Sequence, residues 1–293
     1  MVGHKKVYLE GKLTVYTLRY DTKFFNNLAY HWCGSYDEYH VLDAKERTWK
    51  ILSDASIIPM KKVRGELVPA DNNYKVELVL TYEDIETLQE LVRALRKAGA
   101  VSDSLYCSSI HIHINAAPHT PNTLKNLVNL MASKEDLLYK ALNIDMARLR
   151  YCKKVNDELI ATINKKKPKT LEASADIWYA GYGNEDRKRH YHNSRYYGLN
   201  LHSTFTLGTI EFRLFNGTLH AGKIKAYIQF CLALSYQALN PKSASSKRKT
   251  TDNEKYTFRC WMLRLGLIGN EFKTCRYHFM ERLEGNSAWR NAS

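Results

Sequence analysis

The sequence predicts an α+β fold, a mixed sheet with helices packed on one face, and three observations carry that prediction. Apolar residues alternate singly in several short stretches, among them KLTVYTLRY (12–20), YKVELV (74–79) and SIHIHIN (109–115). Other stretches repeat at the helical spacing, as in TYEDIETLQELVRALRKAGA (81–100). Strands and helices follow one another, yet several strands lack a crossover helix, which favours a mixed sheet over a parallel one.

The elements can be taken in order. Residues 1–60 are β-rich: KLTVYTLRY alternates, and YHVLDAKERTWKIL (39–52) reads as a hairpin turning near Asp43 to Glu46. NYKVELVL (73–80) is a further strand. A helix follows, with Thr81 as N-cap, Ile85, Leu88, Leu91, Val92 and Leu95 on one stripe, and Gly99 ending it. The histidine-bearing strand at 110–115 comes next. TPNTLKNLVNLMASKEDLLYKAL (120–142) then reads as helix, capped by Thr120 with Pro121 in the first position. From 143 to 198 the chain is polar and basic with short helical stretches, and Lys165 to Lys169 reads as a surface loop. GTIEFRLFN (208–216) is a strand, AGKIKAYIQFCLALSYQAL (221–239) a largely buried helix, and two helices follow a Ser/Lys linker at 242–254.

Composition narrows the classes. Of 293 residues, 44% are hydrophobic, enough for one large core or two small ones. No run of 18 apolar residues occurs, and the start MVGHKKVYLEGKL lacks the apolar segment of a signal peptide. The expectation is a soluble, cytoplasmic protein with no membrane partner. Six cysteines stand without a C-x-x-C pair, which argues against a thiolate zinc or redox motif and for reduced thiols. The formal net charge of +14 is concentrated in NKKKPK (164–169), DRKRHYHNSR (186–195) and KSASSKRKTTDNEK (242–255). Such runs are most often solvated loops. They also suit an anionic substrate such as ATP, and nucleic-acid binding is the lesser reading.

Three strands share one logic. Residues two apart on a strand share a face, so His111 and His113 stand together opposite three isoleucines. Glu211 and Arg213 stand together opposite Ile210, Phe212 and Leu214, and Lys75, Glu77 and Val79 share a face. For one strand alone, a half-exposed sheet is the simpler reading. If the three are neighbours, imidazoles, carboxylates and an arginine converge. Carboxylate with imidazole suits Mg²⁺ or Mn²⁺, and arginine grips phosphate or carboxylate. That set fits phosphoryl chemistry. A zinc hydrolase reading, with His190, His192 or His202 as a third ligand, is poorer. No Walker, dinucleotide-binding or nucleophile-elbow motif is present.

H-x-H at His111 and His113, then R-Y-x-x-L-N from Arg195 to Asn200, then T-I-E-F-R-L-F from Thr209, occur in that order. With YDEYHVLDAKERTWKILSDASI (36–57) and YKVELV, they make the chain resemble the amidoligase family, carboxylate–amine ligases related to glutamine synthetase, over roughly residues 35–290. The resemblance implies a glutamine-synthetase-like, curved, mainly antiparallel sheet. It implies an ATP-dependent ligase that forms an amide or isopeptide bond through an acyl phosphate, with ATP and Mg²⁺ (or Mn²⁺) as cofactors. Glu211, His111 and Glu77 match metal ligands. Arg213 matches the arginine at the transferred phosphoryl group, and Arg195 and Asp54 complete the catalytic set. His113, Asn200 and Lys50 match the nucleotide side, and Trp49 and Ser56 accompany Lys50 and Asp54 at the rim.

The implied organisation is a β-rich part at 1–60, a catalytic sheet and helices at 61–240 with a basic insertion at about 143–198, and a linker with C-terminal helices at 241–293, all in one compact unit. The implied partners are a carboxylate substrate and an amine donor, small molecule or peptide; an oligomer is compatible with the sequence. The chain departs from the family pattern in three places. No E-x-E opens it, and Glu10 is the lone candidate there, with Asp37 and Glu38 as substitutes. No Ser-Pro follows VELV, and CSS (107–109) replaces C-G before H-x-H. A second reading follows, in which the fold binds ligand without catalysis.

Overall fold

The computed structural model describes residues 6–9, 13–16, 30–32, 38–42, 48–53, 57–70, 76–80, 85–97, 99–103, 108–248 and 250–289. Helix and antiparallel strand are both present, so the fold class is α+β. The chain divides into two compact units.

The first unit comprises Met1–Ser108 and Gly217–Lys225. Strands β1 (Lys6–Leu9) and β2 (Leu13–Tyr16) pair as a hairpin. Strands β3 (Tyr30–Trp32), β4 (Glu38–Leu42), β5 (Thr48–Ser53) and β8 (Val76–Leu80) form an antiparallel sheet in the order β3-β4-β5-β8. The hairpin expected at 39–52 is therefore present. Strands β6 (Met60–Val63) and β7 (Glu66–Pro69) make a further hairpin. Its turn residues Arg64 and Gly65 both have positive φ, 50° and 95°, as a type I′ turn requires. Arg-Gly stands where Asn-Gly or Asp-Gly would have announced the turn, so the sequence pattern does not reveal it. Helix α1 (Ile85–Lys97) buries Leu88, Leu91, Val92 and Leu95, the stripe its spacing predicts. Its expected cap, Thr81, lies outside the described residues.

The second unit comprises Ser109–Asn216 and Ala226–Ser293. Its sheet has the order β10-β11-β9, all antiparallel: β9 (Ser109–Asn115), β10 (Leu199–Asn200) and β11 (Thr209–Asn216). The helices are α2 (Pro121–Ala132), α3 (Glu135–Leu142), α4 (Asp157–Lys166), α5 (Leu171–Tyr179), α6 (His202–Leu207), α7 (Ala221–Leu239, which begins in the first unit), α8 (Glu254–Arg264) and α9 (Lys273–Met280). Leu124, Leu127, Val128 and Met131 of α2 meet Phe212 and Phe215 of β11 and Phe230, Phe258 and Phe279 of the later helices in one core, with Ile110, Ile112 and Ile114 packed against it. Burial of these side chains supplies the driving force at roughly 1.5–3 kcal/mol each.

Thr120 caps α2 as expected: its hydroxyl accepts from Thr123 N, and Thr123 Oγ1 accepts from Thr120 N. The single helix expected over 120–142 is two. The break falls at Ser133 and Lys134, and the new helix opens on Glu135, which is fully buried. The basic stretch 143–198 carries the short helices expected of it: Leu159, Ile163, Ile177 and Trp178 enter the core, while Lys165 and Lys166, exposed as expected, close the last turn of α4 instead of lying in a loop. The Ser/Lys linker is not free either. Buried Asn126 of α2 donates to Pro241 O (2.8 Å) and accepts from Ala244 N (3.1 Å), and buried Asn129 donates to Ala244 O (2.9 Å). Cys152, Cys231, Cys260 and Cys275 are free thiols. Among the described residues no helix is long and apolar enough to cross a membrane.

Candidate active site

The face of the second unit's sheet opposite the isoleucines carries the titratable residues. Register sets Glu211 across from His113 on β9 and from Asn200 on β10. This face is not solvated in the way an ordinary half-exposed sheet is: Glu211 is 4% exposed and Arg213 6%. A buried carboxylate must find donors, and Glu211 has them on both oxygens. Its Oε1 accepts from Arg213 Nη1 (2.6 Å) and faces His111 Nδ1 (3.3 Å) and His113 Nε2 (3.6 Å); its Oε2 accepts from Asn200 Nδ2 (2.6 Å).

Each imidazole is oriented from behind by a hydroxyl. Ser109 Oγ lies 3.0 Å from His111 Nε2, and Thr209 Oγ1 lies 2.9 Å from His113 Nδ1. Thr209 opens the T-I-E-F-R-L-F stretch and Ser109 lies just ahead of H-x-H, but the motifs give neither hydroxyl a role. Both stand two residues before a residue of the cluster, on the same face, so the period-two rule finds them.

Between Phe212 and Phe215 of β11 the register slips: three steps on β11 oppose two on β9, from Ile112 to Ile110. This is a β-bulge, which bends the strand and re-aims side chains. It explains why Leu214 and Phe215 are both core residues although they are neighbours. The bulge carbonyls are held by Arg148, a buried arginine that the sequence gives no reason to single out. Its Nη2 donates to Arg213 O (2.8 Å), and its Nη1 donates to Asn216 Oδ1 (3.0 Å) and Leu214 O (3.3 Å). Arg213 N donates to Gly198 O (2.8 Å). Gly198 has to be glycine: a Cβ there would collide with Tyr139 Oη, which donates to Cys152 O at 2.7 Å.

The electrostatics follow from this packing. Burial raises the Glu211 carboxyl, but contact with His113 and the Arg213 charge outweigh it and hold the group well below the usual carboxylate range. Burial and the Arg213 charge lower His111 well below the ordinary histidine value, although 28% of its side chain still meets solvent, so it is uncharged at neutral pH. Burial lowers Arg195 and Arg148 as well, and each also feels the Arg213 charge. Arg195 lies over the Tyr191 ring (5.2 Å) and donates to His190 O (3.1 Å). Three guanidinium groups thus act on a site with one carboxylate. Arg213 Nε is enclosed with no hydrogen-bond partner. A site with this balance favours an anion.

The described residues do not fit a resident Mg²⁺. That ion wants a near-octahedral shell of oxygens, and both oxygens of Glu211 are already bonded. Among the described residues no group of three or more His, Cys, Asp or Glu side chains can hold a metal ion. Glu77 stands on β8 in the first unit, opposite Leu52, and Lys50 on β5 opposite Val79, so the register places the two on one face; their side chains lie outside the described residues, as do Asp54, Ser56, Glu10 and Asp37. The structure brings together His111, His113, Asn200, Glu211 and Arg213, with Arg195 within electrostatic reach. Asn200 is used up within the cluster, since its Oδ1 accepts from His202 N (2.8 Å). An open depression of about 460 Å³, lined by Asp157, Ile160, Ala161, Asn164, Ser246 and Arg248, shares no residue with the cluster.

Residues 7–235 match a family model described as "Putative amidoligase enzyme". The chain belongs to the amidoligase family. The matched span runs from within β1 through most of α7 and includes the cluster around Glu211. Comparison with curated proteins and with solved structures finds no match.

Proposed function

We propose that this amidoligase is an ATP-dependent carboxylate–amine ligase acting at the Glu211 cluster. The observation that carries the reading is buried Arg213, held on Glu211 at 2.6 Å, with Arg195 and Arg148 near enough to feel its charge. A carboxylate oxygen of the substrate attacks the γ-phosphorus of ATP; the new O–P bond forms as the bond to the β-phosphate oxygen breaks, and ADP leaves. The amine nitrogen then attacks the acyl carbon, phosphate departs, and the nitrogen loses its proton to give the amide. Arg213 and Arg195 stabilise the charge on the transferred phosphoryl group. Glu211 fixes Arg213, and Asn200 fixes Glu211. His113, with 40% of its side chain exposed, faces the nucleotide. A Mg²⁺ ion carried in with the nucleotide would neutralise charge on its phosphates.

The test is ADP and phosphate release with ATP, Mg²⁺ and a panel of carboxylates and amines, repeated with Arg213→Gln. Turnover should fall by roughly a hundredfold or more on losing such a donor. Release that is unchanged in Arg213→Gln removes the assignment. The second reading, a binding protein without turnover, is favoured by one observation: both oxygens of Glu211 are engaged by protein donors. Calorimetry with ATP separates the two, since binding without turnover across the panel supports only the second.

A further inference from the structure

Helix α2 carries a buried charge that the Glu211 cluster does not use. Lys125 is 7% exposed. A lysine that well covered is normally paired. Lys125 makes no hydrogen bond or ion pair to a described residue, and the charges that bear on it are two more lysines, Lys167 and Lys169, with no carboxylate among them. Its ammonium nevertheless keeps an opening to the surface, unlike the enclosed nitrogens of Trp178 and Trp261.

Lys167 breaks a local rule in the same place. It closes α4 with φ 45°, in the left-handed region where glycine or asparagine is the ordinary choice and another residue costs roughly 1–2 kcal/mol. The α4 end is tied to α2 by the reciprocal amide pair Asn129 and Asn164, 2.8 Å in both directions. One turn before Lys125, Asn122 Nδ2 donates to Lys242 O (3.2 Å), which brings a further exposed lysine of a third basic run to the same helix. Two basic runs far apart in sequence, 164–169 and 242–255, thus come to the helix that carries Lys125.

We propose that Lys125, Lys167 and Lys169 form a binding site for a phosphate-bearing anion, separate from the Glu211 cluster. Ammonium groups act as point charges and suit phosphate better than the planar fork of a carboxylate. Three of them call for a ligand of more than one negative charge, either a small polyphosphate or the phosphate backbone of a nucleic acid.

The full-length chain is labelled with an amine-acetylating reagent, with and without tripolyphosphate, and the rate is read at each lysine by mass spectrometry. Labelling of Lys167 and Lys169 should slow roughly tenfold, while Lys273, exposed on α9, keeps its rate. Lys125→Met should lose most of that protection. The same variant, without the ion, should melt a few degrees higher than wild type, because a covered charge without a partner is exchanged for an apolar group of similar length. Unchanged labelling, slowing that is equal at Lys273, or a Lys125→Met chain that melts lower would each overturn the proposal. A duplex oligonucleotide that protects the two lysines at lower concentration than tripolyphosphate identifies the ligand as nucleic acid; protection by tripolyphosphate alone identifies a small polyphosphate.

Discussion

Arg148 Nη2 donates to the carbonyl oxygen of Arg213 at 2.8 Å, so one buried arginine holds the backbone from which another projects into the site. Arg148 is a positioning residue, acting through the β11 bulge. Arg148→Lys keeps the charge but not the fork, and should cost about 1–3 kcal/mol of stability. Under the ligase reading, kcat should fall with little change in KM, and guanidinium ion added to Arg148→Ala should restore part of the lost rate. A full loss of structure by circular dichroism in both variants would make the residue structural only.

Asn200 makes a sharper test of the carboxylate's surroundings. Asn200→Ala removes the donor on Glu211 Oε2 and leaves a buried anion one bond short. Urea denaturation should show a loss of about 1–3 kcal/mol. Asn200→Asp should be worse at neutral pH than at pH 4, because it sets a second carboxylate against Glu211.

Gly198 and Tyr139 should couple. Gly198→Ala sets a methyl group against Tyr139 Oη and should cost roughly 1–3 kcal/mol. Tyr139→Phe alone loses the bond to Cys152 O yet makes room. The double variant should therefore be more stable than the sum of the two single losses implies. Strict additivity would mean that the clash relaxes elsewhere.

Glu135 predicts a pH dependence of stability. It is 0% exposed and its oxygens accept only from Val155 N, at 3.1 and 3.2 Å. Burial, only partly opposed by that backbone donor, pushes its carboxyl up to about 8. Between the unfolded value near 4.5 and that folded value, the folded chain binds the proton that the unfolded chain has released. Stability from this group is thus full below the lower value and is lost as pH rises towards the upper one, by about 1.4 kcal/mol per pH unit. Glu135→Gln should flatten the slope and be the more stable chain at pH 8. The depressed Glu211 acts in the other direction: its contribution is full above the unfolded value near 4.5 and is lost progressively as pH falls below it.

The sheet and its cluster were largely legible because they obey period two: His111, His113, Glu211 and Arg213 share a face in sequence and in space. Arg148 was not legible, since its role depends on a bulge, and a register slip leaves no mark in the alternation of TIEFRLF. The break at Ser133 was hidden for a related reason: apolar spacing runs across it, and a buried glutamate at the next helix start contradicts any reading by polarity. The basic runs are solvent-facing as their charge suggests, but charge gives no sign that Asn126 and Asn129 fasten the 241–244 backbone to α2. The β6–β7 hairpin escaped because Arg64 takes a backbone conformation usually left to glycine or asparagine.

The asparagines that fasten the 241–248 stretch matter to anyone who wants to cut or tag this gene. In sequence, KSASSKRK looks like a free joint, open to an epitope insertion or a split-protein boundary anywhere along it. Asn126 and Asn129 grip Pro241 and Ala244, and Arg248 reaches Asp157 (3.0 Å) and the Ala132 carbonyl (3.4 Å). The tolerant window shrinks to Ser245, Ser246 and Lys247. A boundary placed two residues earlier would strip from both buried amides their bonds to Ala244.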